Sequence, residues 1–325
     1  MTREQVLTYL SGQEGYLSGE TVSRALGISR AAVNAAVQAL RREGYEIESS
    51  TRKGYRLQSV PDCLSSGALR TCLPPERMQR VLALNSVDST NSRLRAMAFE
   101  GAAEGQVVLA EEQTGGRGRL GRSFESPRGK GIYLSRLLRP VCAPGDAPRL
   151  TAWTAVAVSD AVETVCGVRP EIKWVNDLLL GGRKLGGILT EMAVEGESGR
   201  IEQVIIGVGL NVNHLPEDFS PALRPAATSL RMELDRPVDR ARLAAALILE
   251  LDEMSRAWPR DNSRYLAAYQ SACRTPGKKV RVFRGEESAE ALALGVNDDF
   301  SLALRYEDGR EENLSSGEVR VREQT

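Results

Sequence analysis

Val33, Val37 and Leu40 recur at steps of four and three, the spacing that gathers apolar side chains on one stripe of an α-helix. Arg30, Asn34, Gln38 and Arg41 or Arg42 fall on the opposite side. Ser29 stands where an N-cap is expected and Gly44 lies past the far end. Two shorter helices precede it. Val6, Leu7 and Leu10 mark the first, and Ser18 introduces a second from about Gly19 to Leu26, closed by the turn Gly27-Ile28-Ser29. The period then changes. Tyr45 to Ser49 and Gly54 to Leu57 read as strands joined by the basic tip Thr51-Arg52-Lys53. Three helices and a hairpin in this order predict a winged helix-turn-helix. Residues 1–60 carry eight Lys or Arg against six Asp or Glu, a net of +2 concentrated on the third helix and the wing. Candidate DNA contacts are therefore Ser29, Arg30, Asn34, Gln38, Arg52 and Lys53, which could reach phosphates and base edges from a helix in the major groove. A helical protein-interaction module would show the same period.

Pro61 begins a linker, and from about Arg80 short apolar runs alternate with longer amphipathic ones. Strands are predicted near Val81–Leu84, Gln106–Glu111, Gly131–Leu137, Glu171–Trp174, Asp177–Leu180, Lys184–Val194 and Gln203–Val208. Helices are predicted near Asn91–Glu100, Pro148–Cys166 and Arg240–Trp258. Gly181-Gly182-Arg183 turns a hairpin. Hairpins interspersed with helices indicate an α+β fold with a mixed sheet rather than a doubly wound parallel one. From Lys278 the chain is strand-rich again, with Val280–Phe283, Ala289–Leu294, Leu302–Tyr306 and Glu318–Val321 separated by turns at Asn297-Asp298-Asp299 and Glu307-Asp308-Gly309. A small SH3-like β-barrel fits best, giving three expected domains at 1–60, 61–276 and 277–325.

Composition narrows the chemistry. A chain of 325 residues that is 42% hydrophobic can build several cores, and its formal net charge of zero leaves any nucleic-acid affinity to a local patch. Five widely spaced cysteines without a C-x-x-C pair argue for reduced thiols and against a zinc site. No secretory n-region or apolar run of membrane length is visible, so a cytoplasmic protein without membrane partners is expected. His214 is the only histidine, which disfavours Ser-His-Asp, Cys-His and multi-histidine metal chemistry. An enzyme of this composition should work by charge stabilisation and positioning.

"TGGRGRLGRS", Thr114 to Ser123, nearly spells a phosphate-binding P-loop, but a P-loop needs a helix at its end. Pro127, shortly after, disfavours one. From Arg117 to Arg139 seven basic residues face the single acid Glu125, which suits a loop that orders around an anion, or a solvated basic surface. "DSTN", Asp88 to Asn91, could cap a helix or hold a small polar ligand such as a ureido ring. In "KWVNDLLLGGRKLGGILTE" a polar Asn176-Asp177 break is followed by Lys184 among apolar residues and close glycines, suited to a phosphate or carboxylate, or to an ordinary salt-bridged hairpin.

Together "DSTN", "GRGRLGRSFESPRGKGIYLS", "KWVNDLLLGGRKLGGILTE" and "IIGVGLNVN", behind a winged helix-turn-helix, resemble the bifunctional biotin protein ligases and biotin-operon repressors over nearly the whole chain. The resemblance implies a two-step reaction. Biotin and ATP give biotinyl-5′-adenylate and pyrophosphate, and the biotinyl group then passes to a lysine of a biotin carboxyl carrier protein. It implies biotin contacts from Ser89, Thr90, Asn91, Gln113 and Lys184, with Arg117, Gly118 and Arg119 closing over the ligand. It implies ATP and Mg²⁺ contacts from Arg119, Arg122, Asn176, Asp177 and Asn211, a pocket wall at Gly207 and Gly209, and catalytic roles for Lys184, Arg119 and Asp177. Operator DNA and a ligand-promoted homodimer complete the implied partners. Leu120 departs from an arginine frequent in the family, and Val175 from the proline of its "KWPND" pattern. A ligand-sensing repressor on a degenerate ligase domain, or a ligase for lipoate or another acyl acid, would share much of this sequence.

Overall fold

The N-terminal helices form where the sequence caps them. In the computed structural model of the protein, which describes residues 2–13, 15–42, 44–50, 52–59, 61–196, 200–284 and 287–321, helices α1 (Thr2–Ser11), α2 (Gly19–Leu26) and α3 (Arg30–Arg42) precede a hairpin of β1 (Glu46–Ser50) and β2 (Gly54–Ser59). Ser18 Oγ accepts from Thr21 N at 3.0 Å and Ser29 Oγ from Ala32 N at 3.1 Å, each satisfying an N–H that the first helical turn leaves unpaired. Val6, Leu7, Leu10, Val22, Val33, Val37 and Leu40 close one small core. Leu17 pairs with Tyr55 and draws the wing back onto the helices. Thr51, the first residue of the expected wing tip, lies outside the described residues.

Short helices α4 (Ser66–Arg70) and α5 (Pro75–Met78) lead into β3 (Val81–Leu84), α6 (Thr90–Phe99), β4 (Val107–Ala110), β5 (Gly131–Leu138) and the long helix α7 (Ala147–Cys166). Strands β6 (Glu171–Lys173), β7 (Asp177–Leu180), β8 (Arg183–Val194) and β9 (Ile201–Asn211) follow, then α8 (Leu230–Leu234), α9 (Arg240–Ala257) and α10 (Asn262–Ala272). The seven strands form one sheet in the order β3-β4-β5-β9-β8-β7-β6, with β3 and β4 parallel and the other pairs antiparallel. This is the expected mixed sheet. Helix α6 covers one face through Leu94 and Ala98 against Val108, Leu137 and Ile205, while the main core with α7 and α9 lies on the other. Every residue of β5 is consequently buried.

The C-terminal strands β10 (Lys279–Arg284), β11 (Glu287–Val296), β12 (Leu302–Tyr306), β13 (Glu311–Leu314) and β14 (Glu318–Val321) pair antiparallel in the order β13-β12-β11-β10-β14. Among the described residues this sheet is open between β13 and β14, where a closed SH3-like barrel would join. Its apolar face is continuous with the main core, and Trp174 Nε1 donates to Phe300 O at 2.9 Å across the junction. Among the described residues no helix is long and apolar enough to cross a membrane.

Candidate active site

One cavity of about 400 Å³ opens at the ends of β8 and β9, and every residue singled out for biotin or ATP lines it. Ser89 is the N-cap of α6, yet its hydroxyl makes no capping bond, so the helix start presents it to the cavity. Thr90 N and Oγ1 both donate to Gln113 Oε1, at 2.9 and 3.1 Å, and Gln113 Nε2 donates to Ser126 Oγ at 3.0 Å. Asn91 Nδ2 donates to Glu191 Oε2 at 2.7 Å, while the buried Ser135 hydroxyl lies 2.7 Å from Thr90 Oγ1 and 2.5 Å from Asn91 Oδ1. These groups form a closed network on rigid elements. Gly207 of β9 makes room for it, since a Cβ there would press into the Asn91 amide.

At the other end, Lys184 Nζ donates to Asp177 Oδ1 at 2.7 Å, with Lys173 Nζ 3.9 Å from Asp177 Oδ2. Lys184 is fixed by its own backbone: its N–H donates to Ala226 O at 2.7 Å and its carbonyl accepts from Thr228 N at 2.9 Å. Asn211 Nδ2 donates to Thr228 O at 3.0 Å in the same wall. Phe219 also faces the cavity and stacks on His214, ring centroids 5.0 Å apart. Burial pushes the His214 pKa down to about 4, so this sole histidine is neutral, and its two ring nitrogens have no hydrogen-bond partner among the described residues.

The Arg117–Arg122 loop, expected to clamp the ligand, lies between these ends. No helix follows it; a single 3₁₀ turn, Arg119–Gly121, gives way to extended chain, as Pro127 requires. Arg119 donates to Asn176 Oδ1 at 2.9 Å and to Gly317 O at 3.0 Å, joining the loop to the residues just ahead of β7 and of β14. Arg117 donates to Ser92 Oγ at 2.9 Å and lies 3.6 Å from Glu191. Gly118 N donates to Arg122 O at 2.7 Å and closes the loop base. Leu120 takes a left-handed conformation, φ 56°, and is 69% exposed. The peptide at the departure Trp174–Val175 is cis.

Ser29, Arg30, Asn34, Gln38, Arg52 and Lys53 are exposed on the N-terminal segment, away from this cavity. Ser29 spends its hydroxyl on the α3 cap, and Asn34 Oδ1 accepts from the Tyr55 hydroxyl at 3.4 Å. Arg41 turns away from the helix face and donates to Ile47 O at 2.9 Å and Ser49 Oγ at 2.6 Å, bracing the wing. The reading from the sequence missed Ser135, Glu191, Phe124 and Phe219. Glu191 closes the quoted glycine-rich motif, and Ser135 ends the quoted run from Gly116, so each left a faint trace.

Known proteins match these features. A model of the biotin/lipoate A/B protein ligase family matches residues 83–211, and a model of a helix-turn-helix (HTH) domain matches residues 2–56. The chain is 37% identical over 312 residues to the bifunctional ligase/repressor BirA of Bacillus subtilis, covering 95% of both chains. It is 36% identical over 237 residues to the biotin–[acetyl-CoA-carboxylase] ligase of Mycobacterium tuberculosis, covering 71% of this chain and 85% of that one. The fold also matches a biotin protein ligase from Aquifex aeolicus in complex with biotin and ATP, with a TM-score of 0.65, 25% identity, and coverage of 76% of this chain and all of the other.

Proposed function

Because this chain belongs to the bifunctional biotin ligase/repressors of the biotin/lipoate A/B protein ligase family, we propose a division of labour within it: residues 1–60 bind operator DNA, 61–276 hold the ligase site and 277–325 brace its clamp. The protein is a biotin ligase and a DNA-binding repressor. In the first step the biotin carboxylate attacks the α-phosphorus of ATP, the bond to the β-phosphate oxygen breaks, and pyrophosphate leaves. The nucleophile carries no proton, so this step needs alignment and cations rather than a base. In our reading Ser89, Thr90, Asn91 and Gln113 hold the ureido ring, Lys184 neutralises the carboxylate and the phosphate, and Arg119 and Arg122 cover the adenylate. Asn176 and Asn211 attend to the nucleotide.

In the second step a carrier lysine attacks the acyl carbonyl, AMP departs, and the amine gives up a proton for which Asp177 is the candidate acceptor. Mg²⁺ bound to the phosphates would screen their charge, and a single protein carboxylate suits an ion that keeps most of its ligands from ATP and water. Asp177, paired with Lys184, and Glu125, which accepts from Ser220 N, are the carboxylates that line the cavity, and Asp177 is the one beside Lys184. The carrier protein, a ligand-promoted homodimer and a cytoplasmic setting belong to the same proposal, as do base and phosphate contacts from Ser29, Arg30, Asn34, Gln38, Arg52 and Lys53. The observation that carries it is the convergence of the Thr90–Gln113 network, Lys184 and the clamp arginines on one cavity. Acid-dependent ATP–pyrophosphate exchange tests it. Exchange with biotin and none with lipoate is expected, alongside protection of a palindromic DNA site that strengthens with biotin and ATP. Equal exchange with lipoate, or with neither acid, would overturn the substrate assignment.

A further inference from the structure

Arg240 opens α9 with its side chain wholly buried. A guanidinium removed from water is tolerated only where its donors are matched. Here every nitrogen is engaged. Nε lies 3.0 and 2.9 Å from the two carboxylate oxygens of Asp62, Nη1 donates to Glu111 Oε2 at 3.0 Å and Gly131 O at 3.2 Å, and Nη2 donates to Asp62 O at 2.6 Å. Asp62 belongs to the linker behind the winged segment. It also accepts from Asn213 Nδ2 at 2.7 Å, and the second oxygen of Glu111 accepts from Leu64 N. The linker is therefore pinned by its carboxylate, a carbonyl and an N–H.

Both ends of this cluster lead somewhere. Glu111 precedes Gln113 by two residues, and Gly131 is in register with Asn211. On the other side Ser65 Oγ caps α4 through Ala68 N at 3.1 Å and lies 3.2 Å from the Tyr45 hydroxyl at the root of the wing. Gly67 lets Leu7 of α1 approach so closely that a Cβ there would sit 2.9 Å from Leu7 Cδ2. A cluster serving stability alone could be replaced by well-packed apolar side chains at little or no cost. We propose that Arg240 is a positioning residue of the ureido subsite, and that its grip on Asp62 makes the interdomain linker a structural part of that subsite. Filling the pocket then sets the seat of the DNA-binding segment, and operator DNA must tighten the adenylate by the same factor.

This inference rests on the ligase and repressor reading above. Asp62→Asn keeps the shape and removes the charge, and Asp62→Ala removes both; thermal unfolding checks that each variant folds. For the alanine variant, biotin KM in pyrophosphate exchange should rise about fivefold while ATP KM and kcat stay within about twofold. The gain in operator affinity produced by adenylate should shrink by about fivefold or more, a typical size for coupling between sites. The gain in adenylate affinity produced by a footprinted operator fragment should shrink equally, and Asp62→Asn should fall between alanine and wild type. If either biotin KM or the coupling is unchanged in both variants, the inference fails and the ligase and repressor reading stands. A wild-type chain without exchange, or with operator affinity indifferent to adenylate, overturns both.

Discussion

The two ends of the cavity solve one binding problem in opposite ways. At the end proposed for the ureido ring, Ser89, Thr90 and Asn91 are each more than nine-tenths buried, and the Thr90 and Asn91 side chains are already hydrogen-bonded to strands and to Gln113. Its ordering entropy is spent when the chain folds. The Arg117–Arg122 loop is a three-residue turn between extended segments, carries the exposed Leu120, and is tied down through the polar contacts of Arg117 and Arg119. As the proposed cover of the ligand, it acts on escape more than on recognition. Selectivity should therefore reside in the rigid end and retention in the loop.

The sharpest division is between strand-borne charge and everything else. Lys184→Ala should lower kcat for biotin-dependent exchange by about 10³, the scale of losing a preorganised cation at a developing oxyanion. Single-turnover kinetics with unchanged thermal unfolding check this, and near wild-type exchange would remove Lys184 from the chemistry. Gly207→Ala tests the rigidity of the ureido end. The new methyl would lie 3.0 Å from Asn91 Cγ and closer still to its oxygen, while Glu191 and Ser135 keep that amide from yielding. Biotin binding should weaken by about 30- to 100-fold, as overpacking at so unyielding a site costs about 2–3 kcal/mol. Calorimetric titration reads it, and ordinary biotin affinity would show that this end adapts after all.

His214 offers a pH test of the wall that carries Phe219. Its pKa in the folded chain, about 4, lies below the ordinary value of 6.5, so the unfolded chain takes up the proton first. Stability should accordingly fall as pH drops from 6.5 toward 4, by about 2 kcal/mol between pH 7 and pH 5. Denaturant unfolding of wild type and of His214→Phe, which keeps the stack without the titration, should differ by that slope. The smallest effect belongs to the clamp. Arg119→Gly removes hydrogen bonds to Asn176 and Gly317, together worth about 1.4 kcal/mol, and adenylate should leave about tenfold faster. Stopped-flow release and stray acylation of bystander lysines report it; an unchanged release rate would mean that the loop does not retain ligand.

Local signals explain what could be read beforehand. The capped helices α2 and α3 and the strands bearing the glycine motifs were legible because caps, turns and periodicity lie within a few residues of one another. Helices α4, α5, α8 and α10 and strand β13 were not: the first three span five, four and five residues, too few for a period to register. Strand β9 runs on to Asn211, past the expected end at Val208, through Gly209, whose missing side chain lets Phe124 approach closely. Most polar residues lining the cavity stood in motifs, whereas the buried cluster behind it did not. Asp62, Glu111 and Arg240 meet across separations of 129 and 178 residues, and no local pattern announces such a cluster.

The bond from Arg119 to the Gly317 carbonyl gives the site a birth order. Gly317 lies 198 residues further along the chain. A ribosome making this protein releases the ureido pocket and Lys184 well before it releases the carbonyl that tethers the loop. The growing polypeptide therefore carries the Arg117–Arg122 loop for most of its synthesis without the carbonyl that tethers it, and the last wall of the cavity, at Gly317, Val319 and Arg320, arrives with that tether.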